Sequence, residues 1–281
     1  MSKFSSRQWI AIAGAILFFG LLFFINRKAP SSTPAVPESA HAGNKGVDFK
    51  EVINASEDSL PVGEKQVVTH LKAALAASSD STHIYILAKL VKVFDSIGQP
   101  VISAYYTEKL ADMEKSPALW THAGQQFYDY SSLGKQDLKD VLLQQAQECF
   151  SNGLKIDSDY ADARVGLGEC LVEGSSPMQG IMTIESVLRK DSNNRNAQLA
   201  LGKFSMRSGQ FQKAIYRFNR VLTIDPSYKE SYIYLAQSYE GAGNKKEAVV
   251  NLKKYRIFAP DSAIKAEVDN YIQRIETDTT K

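Results

Sequence analysis

Cysteine is nearly missing from this chain: among 281 residues only Cys149 and Cys170 occur. That excludes a disulfide framework and any CxxC redox or zinc pair. The two read as small, partly buried thiols; a single bridge is the alternative, in an oxidising compartment only. Histidine is almost as scarce. His41, His70, His83 and His122 form no close helical pair and no HExxH spacing, so no metal ligand set is expected. GxSxG, GxxxxGK[ST] and GxGxxG are absent, and the carboxylates lie scattered along amphipathic stretches. The expectation is a protein that is not an enzyme, with no catalytic residue, no metal and no cofactor.

A dominant charge is missing too. Lys and Arg number 33 against 31 Asp and Glu, a net charge of +2. The excess sits in the first 28 residues, where Lys3, Arg7, Arg27 and Lys28 are the only charged side chains. A nearly neutral remainder argues against nucleic acid as a partner, since that needs a basic patch or stripe. Sustained period-2 alternation is likewise absent, so no strands are expected.

What is present begins with an apolar run. Ile10 to Ile25 reads IAIAGAILFFGLLFFI, uncharged throughout, with Trp9 leading in. At about 1.5 Å per residue, a helix over 9–26 spans roughly 27 Å, close to a bilayer's hydrocarbon thickness. Trp9 suits the interface, and flanking Lys and Arg can snorkel to the headgroups. A cleaved signal would show a small-x-small site after the run, whereas Asn26-Arg27-Lys28 follows. Residues 1–8 are then a short tail and 9–26 an uncleaved anchor, with a cleaved signal and a buried core helix as alternatives. Basic residues on both flanks nearly tie, but a short amino-terminal tail normally stays in the cytoplasm. The body is therefore expected outside it.

Residues 27–60 follow as a flexible Pro/Ala/Ser linker, with Pro30, Pro34 and Pro37 clustered near its start. Such composition buries too little apolar surface to offset chain entropy. From Pro61 onward the pattern is helical. Val67, Val68, Leu71, Ala74 and Leu75 are spaced for one apolar face of a packing helix within 61–83.

The most informative pattern is a period of 34. Ile-Asp-Pro at 224–226 is answered by Phe-Ala-Pro at 258–260. Ala197, Leu201, Gly202, Gly209, Phe211, Ala214 and Phe218 lead up to Pro226, and Tyr232, Leu235, Tyr239, Ala248 and Leu252 supply the apolar positions that lead up to Pro260. This grammar resembles the tetratricopeptide repeat (TPR), a helix–turn–helix unit that stacks into a superhelix. The resemblance implies an all-α fold: a right-handed α-solenoid, preceded here by one transmembrane helix and a flexible linker. Its units are expected at 84–116 (degenerate), 117–160, 161–194, 195–228 and 229–262, with a capping helix and tail over 263–281. The unit at 117–160 carries about ten extra residues after Phe127. They are expected as a protruding loop around Tyr128–Lys139 that also lengthens the second helix at its start. In the unit at 161–194, Gly180 stands where the family places Ala, a substitution that costs about 1 kcal/mol of helix propensity. Ser262 is the expected N-cap of the last helix.

Carried over residue by residue, the family's concave groove falls on Thr121, Gln125 and Tyr128, then Val165, Glu169 and Val172. Leu199, Lys203, Met206 and Arg207 follow, then Ile233, Gln237 and Glu240. Val165, Val172, Leu199, Met206 and Ile233 would form an apolar strip between charged rims, suited to a peptide or protein partner. The Lys/Asn clamp for a chain-terminal carboxylate is not evident at the matching positions. The resemblance thus implies a membrane-anchored bacterial TPR protein, in the inner membrane with its body on the periplasmic side. Its expected role is an adaptor for a protein or peptide partner through the groove. Two alternatives stand beside this: a cytochrome c biogenesis-type factor presenting an apoprotein, and a self-associating structural envelope protein, hence a possible homo-oligomer.

Overall fold

Proline and aspartate punctuate a run of helices. A computed structural model describes residues 49–132 and 136–277, and regular structure among them is helical throughout. These residues belong to the compact unit Asn44–Lys281. Among them no helix is long and apolar enough to cross a membrane. The expected tail (1–8), anchor (9–26) and linker as far as residue 48 lie outside the described residues.

The described helices are α1 (Phe49–Asp58), α2 (Val62–Ala76), α3 (Asp80–Ser96) and α4 (Pro100–Glu114). Next come α5 (Pro117–Ser131), α6 (Gln136–Ile156), α7 (Ala161–Glu173) and α8 (Pro177–Lys190). The series closes with α9 (Arg195–Arg207), α10 (Phe211–Ile224), α11 (Ser231–Gly241), α12 (Lys245–Phe258) and α13 (Ser262–Thr277). Pro100, Pro117 and Pro177 each open a helix, where a missing N–H costs nothing. Side-chain caps help at Ser116, Asn194 and Asn244, each accepting from a backbone N–H three residues on.

Between repeats the chain turns on an aspartate every 34 residues. The Asp157, Asp191 and Asp225 carboxylates each accept from the backbone N–H two residues later, at 2.9, 2.9 and 3.0 Å. Their carbonyls accept from the N–H of Tyr160, Asn194 and Tyr228, at 3.1 Å in each case. Asp–Ser and Asp–Pro at the repeat ends are therefore Asx turns, which take over from the helical ladder where it stops. Within repeats, Gly209 and Gly243 sit at φ 75° and 79°, a left-handed turn between paired helices that a Cβ would strain.

The core runs from unit to unit along aromatic and aliphatic plugs. Phe94, Phe127, Phe150, Phe218, Leu235 and Leu252 are all fully buried. Small residues make room for them. A Cβ at Gly202 would lie 2.7 Å from the Phe218 ring, and one at Gly124 would lie 2.9 Å from Phe150.

Several expectations are corrected. The linker does not reach residue 60: α1 forms at Phe49–Asp58, with Ile53 buried and Phe49 edge-on to Phe127 at 5.4 Å between ring centroids. Phe49 and Ile53 are four apart on one helical face, enough to dock a short helix. The packing helix assigned to 61–83 ends at Ala76, because α3 already begins at Asp80. On α2, Val68 is buried, but Val67 is 49% exposed and so lies off the expected apolar face. The extra residues after Phe127 are not mainly a loop. Tyr128–Ser131 complete α5, and Gln136–Lys139 open an α6 of 21 residues, against 14 for α8. Leu142 and Leu143 of this lengthened α6 are buried in the core around Phe127 and Phe150. Last, α13 is capped by Asp261, whose carboxylate accepts from the Ile264 N–H at 2.8 Å, while Ser262 is its first helical residue.

Candidate functional site

The repeat makes α5, α7, α9 and α11 the first helices of successive pairs, with equivalent positions about 34 residues apart from α7 onward and about ten more between α5 and α7. Asn196 donates its amide to Asp162 at 2.9 Å, 34 residues away. Arg207 pairs with both carboxylate oxygens of Glu173, again 34 residues earlier. Arg274 of α13 lies 3.7 Å from Glu240, once more at that separation, and the Tyr271 hydroxyl donates to Glu240 at 2.5 Å. Lys139, in the lengthened start of α6, approaches Glu173 at 4.0 Å. The result is a ladder of ionic and hydrogen-bonded rungs rather than an open apolar strip.

At its centre sits Glu169. Burial pushes its carboxyl up to about 7; Asp129 and Glu173 push the same way and Lys203 opposes them. The Lys203 ammonium in turn lies 5.7 Å from the centre of the Tyr234 ring. Asp129 is also raised, first by burial, and is held by the Gln125 amide at 2.8 Å. Tyr128 completes the neighbourhood: burial first, then Glu169 and Glu173, hold its hydroxyl in the neutral form. Together these side chains form a patch rich in donors and acceptors.

The predicted groove residues divide into two sets. Thr121, Gln125, Tyr128, Glu169, Val172, Leu199, Lys203, Ile233 and Glu240 are half-buried, and Arg207 is exposed. Val165, Met206 and Gln237 are buried at 3%, 6% and 4% exposure. Val165 packs with Ala197, Ala200 and Leu201 in the core, which removes it from the expected strip. Thr121 turns its hydroxyl back to the Pro117 carbonyl at 2.7 Å. Gln237 leaves its side-chain carbonyl oxygen without a hydrogen-bond partner among the described residues.

Sequence reasoning missed Glu173, Asp129, Tyr234 and Arg274. The signal for two of them was available: Glu173/Arg207 and Glu240/Arg274 are opposite charges at the repeat spacing. A separate opening of about 310 Å³ lies at the amino-terminal end, lined by Asn54, Glu57, Lys72, His83, Tyr105 and Lys109 among others. It contains none of the predicted residues. Both Glu57 oxygens are already engaged there, by the Tyr106 hydroxyl at 2.8 Å and by Lys72 at 2.5 Å. Cys149 and Cys170 are buried free thiols, with no bridge between them.

Residues 205–266 match the family model described as tetratricopeptide repeat, so the chain carries TPR units. Solved structures extend the fold over most of the described residues. A tetratricopeptide repeat protein from Parabacteroides merdae shares 15% identity, covering 82% of this chain and 87% of its own, with a TM-score of 0.56. A thermophilic TPR protein from Thermus thermophilus shares 15% over 69% of this chain and 99% of its own, with a TM-score of 0.52. PilW, a type IV pilus biogenesis factor, shares 19% over 69% of this chain and 91% of its own, with a TM-score of 0.51. At such identities the likeness establishes the architecture. No curated protein matches the chain.

Proposed function

We propose that this protein is a membrane-tethered scaffold that captures a peptide or protein segment along the inner face of its first-of-pair helices. The observation that carries the reading is the patch formed by Tyr128, Glu169, Glu173, Lys203 and Arg207, where half-buried acidic and basic side chains share one accessible face and Arg207 pairs with Glu173. Desolvated charges on a solvent-facing groove are costly unless something uses them. A partner that supplies donors and acceptors to this ladder gains both affinity and register. Half-buried Val172, Leu199 and Ile233 offer smaller apolar contacts beside it. The apolar run Ile10–Ile25 motivates the tether, which would raise the local concentration of the groove near membrane partners.

The test is photo-crosslinking in intact membranes with the full chain, comparing wild type with Lys203→Ala/Arg207→Ala. We expect partner capture to fall at least about tenfold, equivalent to about 1.4 kcal/mol, while Tm moves only a few degrees. Undiminished capture by the variant would place the partner elsewhere. The same experiment separates the alternatives. Other proteins in the crosslinks favour the adaptor, apocytochromes the biogenesis factor, and self-crosslinks alone a structural role.

A further inference from the structure

A near-neutral total hides a segregated charge distribution. Residues 49–173 contain 11 Lys and Arg against 18 Asp and Glu, whereas residues 174–277 contain 16 against 10. The imbalance is concentrated further. The second-of-pair helices α8, α10 and α12 carry ten basic residues and only Glu185 and Glu247 as acids. Lys190 pairs with Asp159, Lys253 with Glu276 and Arg256 with Asp269. Exposed Arg189, Lys213, Lys246 and Lys254 have no acidic partner among the described residues.

The same helices expose apolar side chains in register. Met182, Tyr216 and Val250 are spaced by 34, so they occupy one position on three successive second-of-pair helices, and all are exposed. Met178 stands one turn before Met182 and is 73% exposed. The pattern stops at α6, where the equivalent position is Glu148 and the one before it Gln144. A single exposed apolar residue needs no explanation, but a row repeated once per unit inside a basic field does.

We infer that the outer face of α8, α10 and α12 docks on an anionic bilayer surface. Protruding Met, Tyr and Val side chains suit the interfacial layer, and surrounding Lys and Arg suit acidic headgroups. An acidic peptide would want a groove for its anchors, and single-stranded nucleic acid a run of stacking aromatics, whereas this row offers one tyrosine. The inference draws on the proposed tether in one respect: about 20 residues separate the apolar run from α1, a length of chain that reaches at most about 70 Å, which keeps the face within reach of lipid.

The test uses the full chain with phosphatidylcholine vesicles and with vesicles holding about 30% phosphatidylglycerol. On the anionic vesicles we expect amide exchange in α8, α10 and α12 to slow several-fold relative to phosphatidylcholine. Protection should vanish in Lys213→Glu/Lys246→Glu/Lys254→Glu and in about 0.5 M NaCl, where the Debye length is only a few ångströms. Met182→Ser/Tyr216→Ser should halve it or more. Equal exchange on both lipids overturns the inference. So does protection that follows protein density instead of lipid charge, which would mean a second copy, or protection that needs added RNA or acidic polypeptide. Flotation separates the two readings. Failure to float with phosphatidylcholine, alongside salt-sensitive flotation with phosphatidylglycerol, removes the tether and keeps this face. Flotation with both lipids and no lipid-dependent exchange does the reverse.

Discussion

At the scale of single residues, packing overrides propensity in this fold. Gly180 read from sequence as an alanine position filled by a poorer helix former, and propensity alone makes Gly180→Ala a gain of about 1 kcal/mol. The structure reverses that sign. A Cβ at residue 180 would lie 2.7 Å from the Val172 amide nitrogen and press on the Gly168 carbonyl oxygen. Both are backbone atoms of the paired helix and cannot rotate away. We therefore expect Gly180→Ala to lower stability by about 1–3 kcal/mol, measured by urea denaturation; a stabilised variant would show that the helices can separate. Gly202→Leu should cost a similar amount through the Phe218 ring. The apolar positions of the repeat were legible because they recur in type. The groove was only partly legible, because a family register says which face a residue occupies and not how deeply a neighbour covers it. Val165 and Met206 share the groove's register with Leu199, yet both are buried.

At the scale of elements, the interrupted repeat was the most misleading feature. Measured against the family spacing, about ten extra residues suggest a protruding loop with only some lengthening of the helix that follows. Their own spacing says otherwise: Leu138, Leu142, Ala146, Cys149 and Phe150 fall on one face of a continuous helix. The insertion therefore lengthens α6 and extends the core around Phe127, and Lys139 ties its start to Glu173 at the end of α7. If the segment is structural, Leu142→Ala should destabilise the body by about 2–5 kcal/mol, as expected for a fully buried leucine. A loop residue would cost less than about 0.5 kcal/mol. Comparing denaturant midpoints decides between the two. The amino-terminal α1 was hidden for the opposite reason. Its ten residues contain few apolar side chains, and only the docking of Phe49 and Ile53 makes it a helix.

For the whole molecule, the ionisable groups predict how stability varies with pH. Glu169 and Glu108 are raised from the ordinary value of 4.5, to about 7 and about 6, in both cases first by burial. A carboxyl that is harder to ionise when folded stabilises the folded state while protonated. That contribution is complete below the unfolded pKa and is lost as pH rises through the folded value. Asp225 works the other way. The Ser227 hydroxyl and then Arg195 hold it down to about 2, so its contribution is present above the ordinary 3.8 and lost as pH falls towards 2. Stability should therefore peak in mildly acidic solution and decline from about pH 5 to about pH 8. Glu169→Gln keeps the shape and removes the titration. We expect it to leave stability at about pH 5 nearly unchanged and to raise it at about pH 8 by about 1–3 kcal/mol, with Glu108 and Asp129, both also raised by burial, contributing to the remaining slope. Denaturant midpoints at the two pH values measure this directly. If the variant keeps the wild-type slope, Glu169 ionises like an exposed carboxylate, and the groove is wetter than its geometry implies.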